Sequence, residues 1–584
     1  MAVVGAILRG PGIIQTSLTA VLRERASLQP HDPAFTFIDY DSQWDGVAEE
    51  LTWAQLYRRV ADLAAVLRER TAPGDRAAVL APQNLHYVIG YLAALEAGLI
   101  AVPLSTPAPG FSDERVLAVL ADAAPTVLLT DSAAAAAVAA HAGAAPDATI
   151  IEVDRLPAPA PRAAAGRRPT PEVAYLQYTS GSTRTPAGVM VSHANLVANY
   201  RQMIRYFFPH HGGVAPADTT VVSWLPFYHD MGLLLGVCAP ILGGWHTVFT
   251  SPLAFLARPA RWLQLLAAYP SALTAAPNFA FDLAAARVSD DDLPGADLSS
   301  VLAVMNGAER VLPGSMDRFT RRFAPLGLSA GVIRPSYGLA EATLYVATAA
   351  PAAAPTVVSF DPDLLAQGQA RRSDDGTALV GYGTPDSPAV RIVDPQTRRE
   401  CADGTIGEIW VRGDNVCQGY WNKPEETART FGGIIVDPAP DTPHDNWLCT
   451  GDLGFLSAGE LFIVGRIKDL LIVRGRNHYP DDIEATVTAI SGCRSAAIVV
   501  QGPDAEELVA IVETKNLGQT EAEIGERLAQ IENSVHSAIS ESHGIVAREL
   551  VLVSRGAIPL TTSGKIRRQA CVERYASGTF ERVR

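Results

Sequence analysis

Apolar residues in Thr52–Arg70 recur on one helical face at Leu56, Val60, Leu63 and Leu67, and Thr52 with Gln55 three residues on spells a capping box. The stretch predicts an amphipathic helix. Short apolar runs at Ala77–Leu80 and Thr126–Leu129 predict strands, and Leu85–Ala97 between them has the length and pattern of a helix. That alternation predicts an α/β fold of layered helices with largely parallel sheets. The Ala-rich run Ala133–Ala145 predicts a surface helix, and the Pro- and Arg-rich Pro157–Thr170 predicts a linker at a subdomain join.

Further along, Leu461–Val473 ("LFIVGRIKDLLIV") holds two strand-like runs around a charged turn. Strand patterns at Ala497–Val500 and Leu508–Glu513 and an amphipathic helix over Glu521–Ile539 follow. This is the texture of a separate, small C-terminal α+β domain, and the boundary is placed at Lys468, giving domains of residues 1–467 and 468–584. Met231–Ala257 contains no Asp, Glu, Lys or Arg, but Pro240, Pro252, four glycines and His246 interrupt it. A membrane-spanning helix wants roughly 20 predominantly apolar residues, so the stretch reads as buried helix, turn and strand, with no transmembrane segment.

The chain has 584 residues, 48% hydrophobic and 19% charged, which describes a globular protein. Its 47 basic and 62 acidic side chains give a formal charge of −15, which disfavours a nucleic-acid partner. The six cysteines are scattered without C-x-x-C spacing, which argues against a metal cage or a disulfide framework and for a reducing compartment. The amino terminus, "MAVVGAILRGPG", does not read as a secretory signal. A cytoplasmic location is expected.

The most informative chemistry lies in Tyr178–Val189, "YTSGSTRTPAGV", between the strand patterns Val173–Gln177 and Val189–Val191. Two glycines let backbone approach a ligand, and Thr179, Ser180, Gly181, Ser182 and Thr183 offer hydroxyl and backbone donors suited to a polyphosphate. A β-hairpin turn uses the same residue types. A P-loop is a poor match, because no lysine follows the glycines.

Four more signatures follow in order: "SYGLAEAT" (Ser336–Thr343), "CTGDLG" (Cys449–Gly454), "GRIKDLLIVRGRN" (Gly465–Asn477) and "PLTTSGKIRRQ" (Pro559–Gln569). Together with the hydroxyl-rich loop they resemble the adenylate-forming superfamily of acyl-CoA synthetases, luciferases and nonribosomal-peptide adenylation domains, over nearly the whole chain. "YLQYTSGSTRTPAGVMVSHANL", "LPFYHDMGLLLG", "APNFAFDL" and "NGAE" are similar to the fatty acyl-AMP ligase branch. The sequence departs from the common superfamily loop in having Arg184 in place of Gly and Ala187 in place of Lys. Thr356–Thr377 resembles that branch's insertion, which is associated with poor use of coenzyme A; an ordinary polar loop is the alternative.

The resemblance implies a large adenylation domain and a small mobile C-terminal domain, with ATP and Mg²⁺ as cofactors. Lys565 would be the principal cation, reaching the acyl carboxylate and α-phosphate, and Glu341 the Mg²⁺ partner. Tyr337 and Gly338 would lie against adenine, with Gly307, Ala308 and Glu309 lining the same slot. Asp452 would accept from the ribose hydroxyls, Arg466 would reach ribose or phosphate, and Lys468 would be the hinge; structural ion pairing competes for the last two. His229 would lie near the acyl carboxylate or be a packed histidine, and Met231, Gly232, Leu235 and Phe279 would line an acyl tunnel or belong to ordinary core.

The implied activity is ATP-dependent conversion of a long-chain fatty acid into an acyl adenylate, then transfer to the phosphopantetheine thiol of an acyl carrier protein or polyketide synthase, by a monomer. An acyl-CoA ligase differs only in the second half-reaction, and a non-catalytic acyl- or nucleotide-binding regulator is the alternative of another class. The last twenty residues hold six basic and two acidic side chains, so Arg567, Arg568 and Arg574 are candidates for docking an acidic carrier protein, or form a solvated tail.

Overall fold

In the computed structural model the described residues are 16–583, apart from 108–112, 157–167, 180–185, 352–353, 474–475, 502–505, 516–519 and 561–564. The expected linker falls largely outside them, as do Ser180, Gly181, Ser182 and Thr183 of the hydroxyl-rich loop. The chain is α/β, with a large amino-terminal body of sheets and helices and a small carboxy-terminal lobe.

Two sheets carry the body. In the six-stranded one, Arg76–Val79 lies between Ile100–Pro103 and Val127–Thr130, parallel to both, and Val173–Thr179 continues the sheet beyond Ile100–Pro103. The eight-stranded sheet has parallel pairing through Ala272–Pro277, Ala303–Gly307 and Ile333–Gly338 and an antiparallel strand at each edge. Helix Trp53–Arg68 forms with the expected capping box and buries Leu56, Val60, Leu63 and Leu67. Helix Leu85–Glu96 is started by Asn84, whose side chain accepts from the amides of His86 and Tyr87, and is buried on nearly every face. A helix packed all round needs no polar stripe, which is why its sequence shows none.

The uncharged stretch resolves as expected into helical turns over Asp230–Gly243, a left-handed Gly244 with φ +72°, and the strand His246–Phe249. Among the described residues no helix is long and apolar enough to cross a membrane. The Ala-rich run forms the expected surface helix. It spans Ala135–His141, with Ala136, Ala139 and Ala140 exposed and Ala137, Val138 and His141 buried. Short helices are marginal in water without tertiary packing, and the small alanine side chains bring this one close against the neighbouring core.

A four-stranded antiparallel sheet, Ala389–Val393, Gly407–Arg412, Leu448–Ser457 and Glu460–Arg466, follows the body. The segment likened to an insertion is an ordered hairpin rather than a loose loop: Val357–Phe360 pairs with Thr377–Val380, and Phe360 meets Phe455 and Phe462 edge-on at 4.9 and 5.0 Å. The small lobe is a three-stranded sheet, Ser495–Gln501, Glu506–Thr514 and Ala547–Ser554, covered by helices Pro480–Ser491, Glu521–His543 and Arg568–Ala576. Its strands bury one apolar set, with Leu508, Ala510 and Val512, on one face, and a second, with Val509 and Ile511, on the other. Alternation of that kind marks a sheet with both faces covered.

Phe360→Ala should lower stability by about 3–5 kcal/mol, the usual cost of deleting a fully buried phenylalanine. A shift of the urea unfolding midpoint measures it, and an unchanged midpoint would show that the hairpin is not anchored through this ring.

Candidate active site

The carboxyl-terminal ends of the parallel strands open onto one cleft of about 3580 Å³ that the small lobe partly covers. Such ends are where open α/β sheets collect ligands. One wall is the hairpin formed by Val173–Thr179 and Ala187–Ser192, in which Tyr178 stands opposite Gly188. A Cβ at Gly188 would come within 2.8 Å of the Tyr178 ring, and the Tyr178 hydroxyl donates to Asp122 at 2.5 Å. The base of the loop is therefore clamped where Thr179 reaches the cleft. Hairpin and ligand cradle are compatible readings of this segment, since the hairpin supplies the scaffold.

The second wall comes from Ala303–Gly307 and Ile333–Gly338, which run parallel. A Cβ at Gly307 would stand 2.7 Å from the Ser336 carbonyl, and one at Gly338 only 1.7 Å from that of Leu344. No side chain fits at either position, so both glycines let the backbone pack directly against a neighbouring carbonyl. Ala308 turns through a left-handed φ of +65°, placing Glu309 at the cleft. The Phe279 amide donates to Glu309 Oε1 at 2.7 Å, and burial pushes this carboxyl up to about 7 despite the opposing pull of Lys565.

Tyr337, Asp452 and Arg466 form a connected row. The Tyr337 hydroxyl donates to Asp452 Oδ2 at 2.7 Å, and Arg466 Nε meets Asp452 Oδ1 at 2.8 Å across the strand pair that places the two residues opposite each other. Asp452 holds the Arg466 guanidinium protonated to higher pH than usual. Glu408, unremarkable in the sequence, accepts from the Gly451 amide and the Trp410 indole, both at 2.8 Å, and so fixes the turn that aims Asp452.

Glu341 lies in the single 3-10 turn Ala340–Ala342 rather than at the start of a longer helix. Its Oε1 accepts from the Tyr420 hydroxyl at 2.8 Å, and burial raises its carboxyl above the ordinary range. Lys565 is brought into the cleft by the small lobe, where its ammonium faces Arg466, Asp230, Glu309 and Asp452. Desolvation and Arg466 lower its proton affinity while the three carboxylates oppose them. Lys468, in the turn Ile467–Asp469, is lowered in the same direction by desolvation and then by Arg466.

His229 precedes helix Asp230–Leu233, and its ring lies 4.7 Å from that of Tyr228 at the cleft edge. Within Met231–Leu242 the cleft is lined by Met231, Gly232 and Leu235, while Leu233, Leu234, Val237, Cys238 and Leu242 are core. Met231 and Leu235 face the cleft together because residues four apart on a helix point the same way. Gly232 serves close packing, since a Cβ there would stand 2.1 Å from the Pro226 carbonyl. Phe279 lines the apolar arm together with Leu283 of the same motif and with Trp224, Leu256 and Met305, which no motif singled out.

Asp230 and Arg115 were also missed. Burial raises the Asp230 carboxyl, and the Met231 amide donates to its Oδ1 at 2.8 Å. The Arg115 guanidinium donates to the Tyr178 carbonyl at 3.4 Å and lines the cleft. The run "HDMG" held a signal for Asp230, an acid opening an otherwise uncharged stretch; Arg115 gave none. Arg568 is corrected as a docking candidate. Its guanidinium is gripped by Asp481 at 2.5 Å, Glu484 at 2.6 Å and Asp469 at 3.7 Å, whereas Arg567 and Arg574 are exposed.

Comparison with known proteins agrees with this geometry. A family model described as AMP-binding enzyme matches residues 22–421, and one described as the AMP domain of Disco-interacting protein 2-like proteins matches residues 468–583. FadD25 of Mycobacterium tuberculosis, whose name describes it as a fatty-acid–CoA ligase, is 56% identical over 580 residues, covering 98% of this chain and 99% of that protein. The long-chain-fatty-acid–AMP ligase FadD28 of Mycobacterium bovis is 54% identical over 98% of this chain and 100% of its own. The crystal structure of a fatty acyl-adenylate ligase from Legionella pneumophila, in complex with acyl adenylate and pyrophosphate, superposes with a TM-score of 0.72 at 33% identity over 97% of both chains. The chain belongs to the AMP-binding enzyme family, in its fatty acyl-AMP ligase branch.

Proposed function

We propose that this enzyme uses ATP to convert a long-chain fatty acid into its acyl adenylate, and then passes the acyl group to the phosphopantetheine thiol of a carrier protein. One observation carries the reading: the small lobe delivers the Lys565 ammonium into a cleft with an apolar arm on one side and a hydroxyl-rich strand end on the other. A carboxylate is a poor acylating agent. Its oxygen attacks the α-phosphorus, the bond from that phosphorus to the bridging oxygen breaks, and the electron pair leaves with pyrophosphate. Anions are crowded together in this step, and preorganised cations and donors are what lower its barrier.

Lys565 neutralises charge between the acyl carboxylate and the α-phosphate. Gly307–Glu309 and Tyr337–Gly338 form the adenine slot, and Thr179 begins the phosphate cradle. Asp452 keeps acceptor capacity for the ribose, because a carboxylate offers about four lone-pair sites and Tyr337 and Arg466 use two. His229 stands where the polar cleft meets the apolar arm, on the same turn as Met231. Arg466 stays oriented by Asp452 and reaches ribose or phosphate.

Glu341 fits a hard cation. It is a buried carboxylate at the cleft, and among the described residues no group of three or more His, Cys, Asp or Glu is placed to hold a metal without outside ligands. Mg²⁺ usually takes only one or two protein carboxylates and completes its shell with phosphate oxygens and water. When bound beside Glu341 it would neutralise polyphosphate charge.

Two acyl-transfer steps through one cleft require the lysine to withdraw before a thiol enters. Lys468 is assigned as the hinge between residues 1–467 and 468–584, lying in a one-turn helix between two strands. The acceptor is a carrier protein, for which the exposed Arg567 and Arg574 offer positive charge, and a monomer in the cytoplasm suffices for the chemistry. The name borne by the FadD25 relative supports a second reading, with coenzyme A as acceptor.

Lys565→Ala should reduce pyrophosphate release with lauric acid by about a hundred- to thousandfold, the usual effect of losing one preorganised electrostatic group. Near-normal turnover in that variant would overturn the assignment. Lys468→Pro, which fixes φ at the hinge, should spare acyl-adenylate formation and block thiol acylation; equal loss of both steps would count against the hinge. Wild-type enzyme loaded with acyl adenylate should acylate a holo carrier protein and leave coenzyme A unacylated, as followed by mass spectrometry, and rapid acyl-CoA formation would select the second reading.

A further inference from the structure

The two lobes are joined by an ion pair that the motifs did not announce. Arg310 Nη2, on the large lobe, lies 2.7 Å from Asp482 Oδ1, at the start of the first small-lobe helix. Both side chains are largely withdrawn from solvent, at 12% and 24% exposure. Arg310 directly follows Glu309, which faces Lys565 and accepts from the Phe279 amide in the wall of the apolar arm. The left-handed turn at Ala308 sends these two neighbours to different tasks, one carboxylate toward the reacting groups and one guanidinium across the lobe interface.

We propose that Arg310 and Asp482 are a positioning pair that holds the small lobe in the adenylating arrangement, with Lys565 in the cleft, and that must part before the acyl group is transferred. The inference rests on the adenylation reading given above. Its physical basis is a contrast between two arginines. Arg568 is gripped by Asp469, Asp481 and Glu484, all on its own side of Lys468, so rotation about the hinge leaves that cluster intact. Arg310 reaches a carboxylate on the far side of the hinge, so the same rotation must break its contact.

The Arg310 site is also only partly satisfied. Its Nη1 is buried with no hydrogen-bond partner among the described residues. Asp482 makes the direct contact and Asp481 adds attraction from beside it, but desolvation of the guanidinium takes back much of that gain, so the pair specifies an arrangement more than it adds stability. Such a contact can be made and broken within one catalytic cycle, as a two-state element requires. Asp482 stands beside Asp481 in the first turn of its helix, where carboxylates are favoured by the helix dipole, and Asp481 remains engaged by Arg568 when Asp482 is released.

Arg310→Glu, Asp482→Arg and the double swap separate positioning from ordinary structure. Each single variant should lower kcat for pyrophosphate release by about tenfold or more, as expected when one partner of a withdrawn charge pair is reversed, while acyl transfer from supplied acyl adenylate to a holo carrier protein is retained or faster. The double swap should recover most of the lost adenylation. Small-angle X-ray scattering of the same proteins without substrate gives a readout independent of activity: the wild type and the double swap should fit the closed arrangement, and the single variants should depart from it. Unchanged adenylation and scattering in Arg310→Glu, or a double swap no better than the sum of its singles, would overturn the proposal. If the wild type itself released no pyrophosphate with any fatty acid, the adenylation reading would fail, and scattering alone would still decide whether the pair holds the lobes.

Discussion

An ammonium group held in a cleft beside a guanidinium is an unfavourable arrangement unless carboxylates surround it. That constraint organises the protein. Lys565 and Arg466 repel each other, and Asp230, Glu309 and Asp452 offset the repulsion from three separate elements of the large lobe. Each carboxylate is itself anchored: Asp230 by the Met231 amide, Glu309 by the Phe279 amide, Asp452 by Tyr337 and Arg466. Net compensation lets the cation remain charged while giving it reason to prefer a more anionic neighbour. A nucleotide triphosphate and a fatty carboxylate arriving together supply that neighbour.

Close packing of backbone shapes the wall beside these charges. Gly307 and Gly338 stand where any Cβ would collide with a carbonyl, of Ser336 and Leu344 respectively. Where the cleft turns apolar, the lining passes from Asp230 to Met231 and Leu235 within one and a half turns of helix, and across to Trp224 and Phe279. A carboxylate with a long hydrocarbon tail is the ligand for which this abrupt change of polarity, about 0.8 kcal/mol per buried methylene on the apolar side, is complementary.

Much of this was legible in the residues. Helix Trp53–Arg68 followed from four leucine and valine positions and a capping box, and the strand pattern before the hydroxyl-rich loop proved to be Val173–Thr179. The motifs marked Glu341, Asp452, Arg466 and Lys565 across more than two hundred residues, and the fold brings them to one cleft. The Ala-rich run proved to be a surface helix, with alternate faces exposed and buried. Arg568 was misread, since a basic run looks the same whether its charges meet solvent or the carboxylates of a neighbouring helix.

Local chemistry therefore determined what each segment could be: which stretches take helical or extended backbone, which loop is rich in donors, and which side chains carry charge. Partnership was decided only by the tertiary structure. That Asp230 rather than a solvated acid faces Lys565, that only one face of Met231–Leu242 sees the cleft, that Arg115 reaches the Tyr178 carbonyl, and that Arg310 reaches across to Asp482 all depend on residues far apart in the chain. Their energies come from burial and mutual distance, and neither quantity exists until the layers have packed.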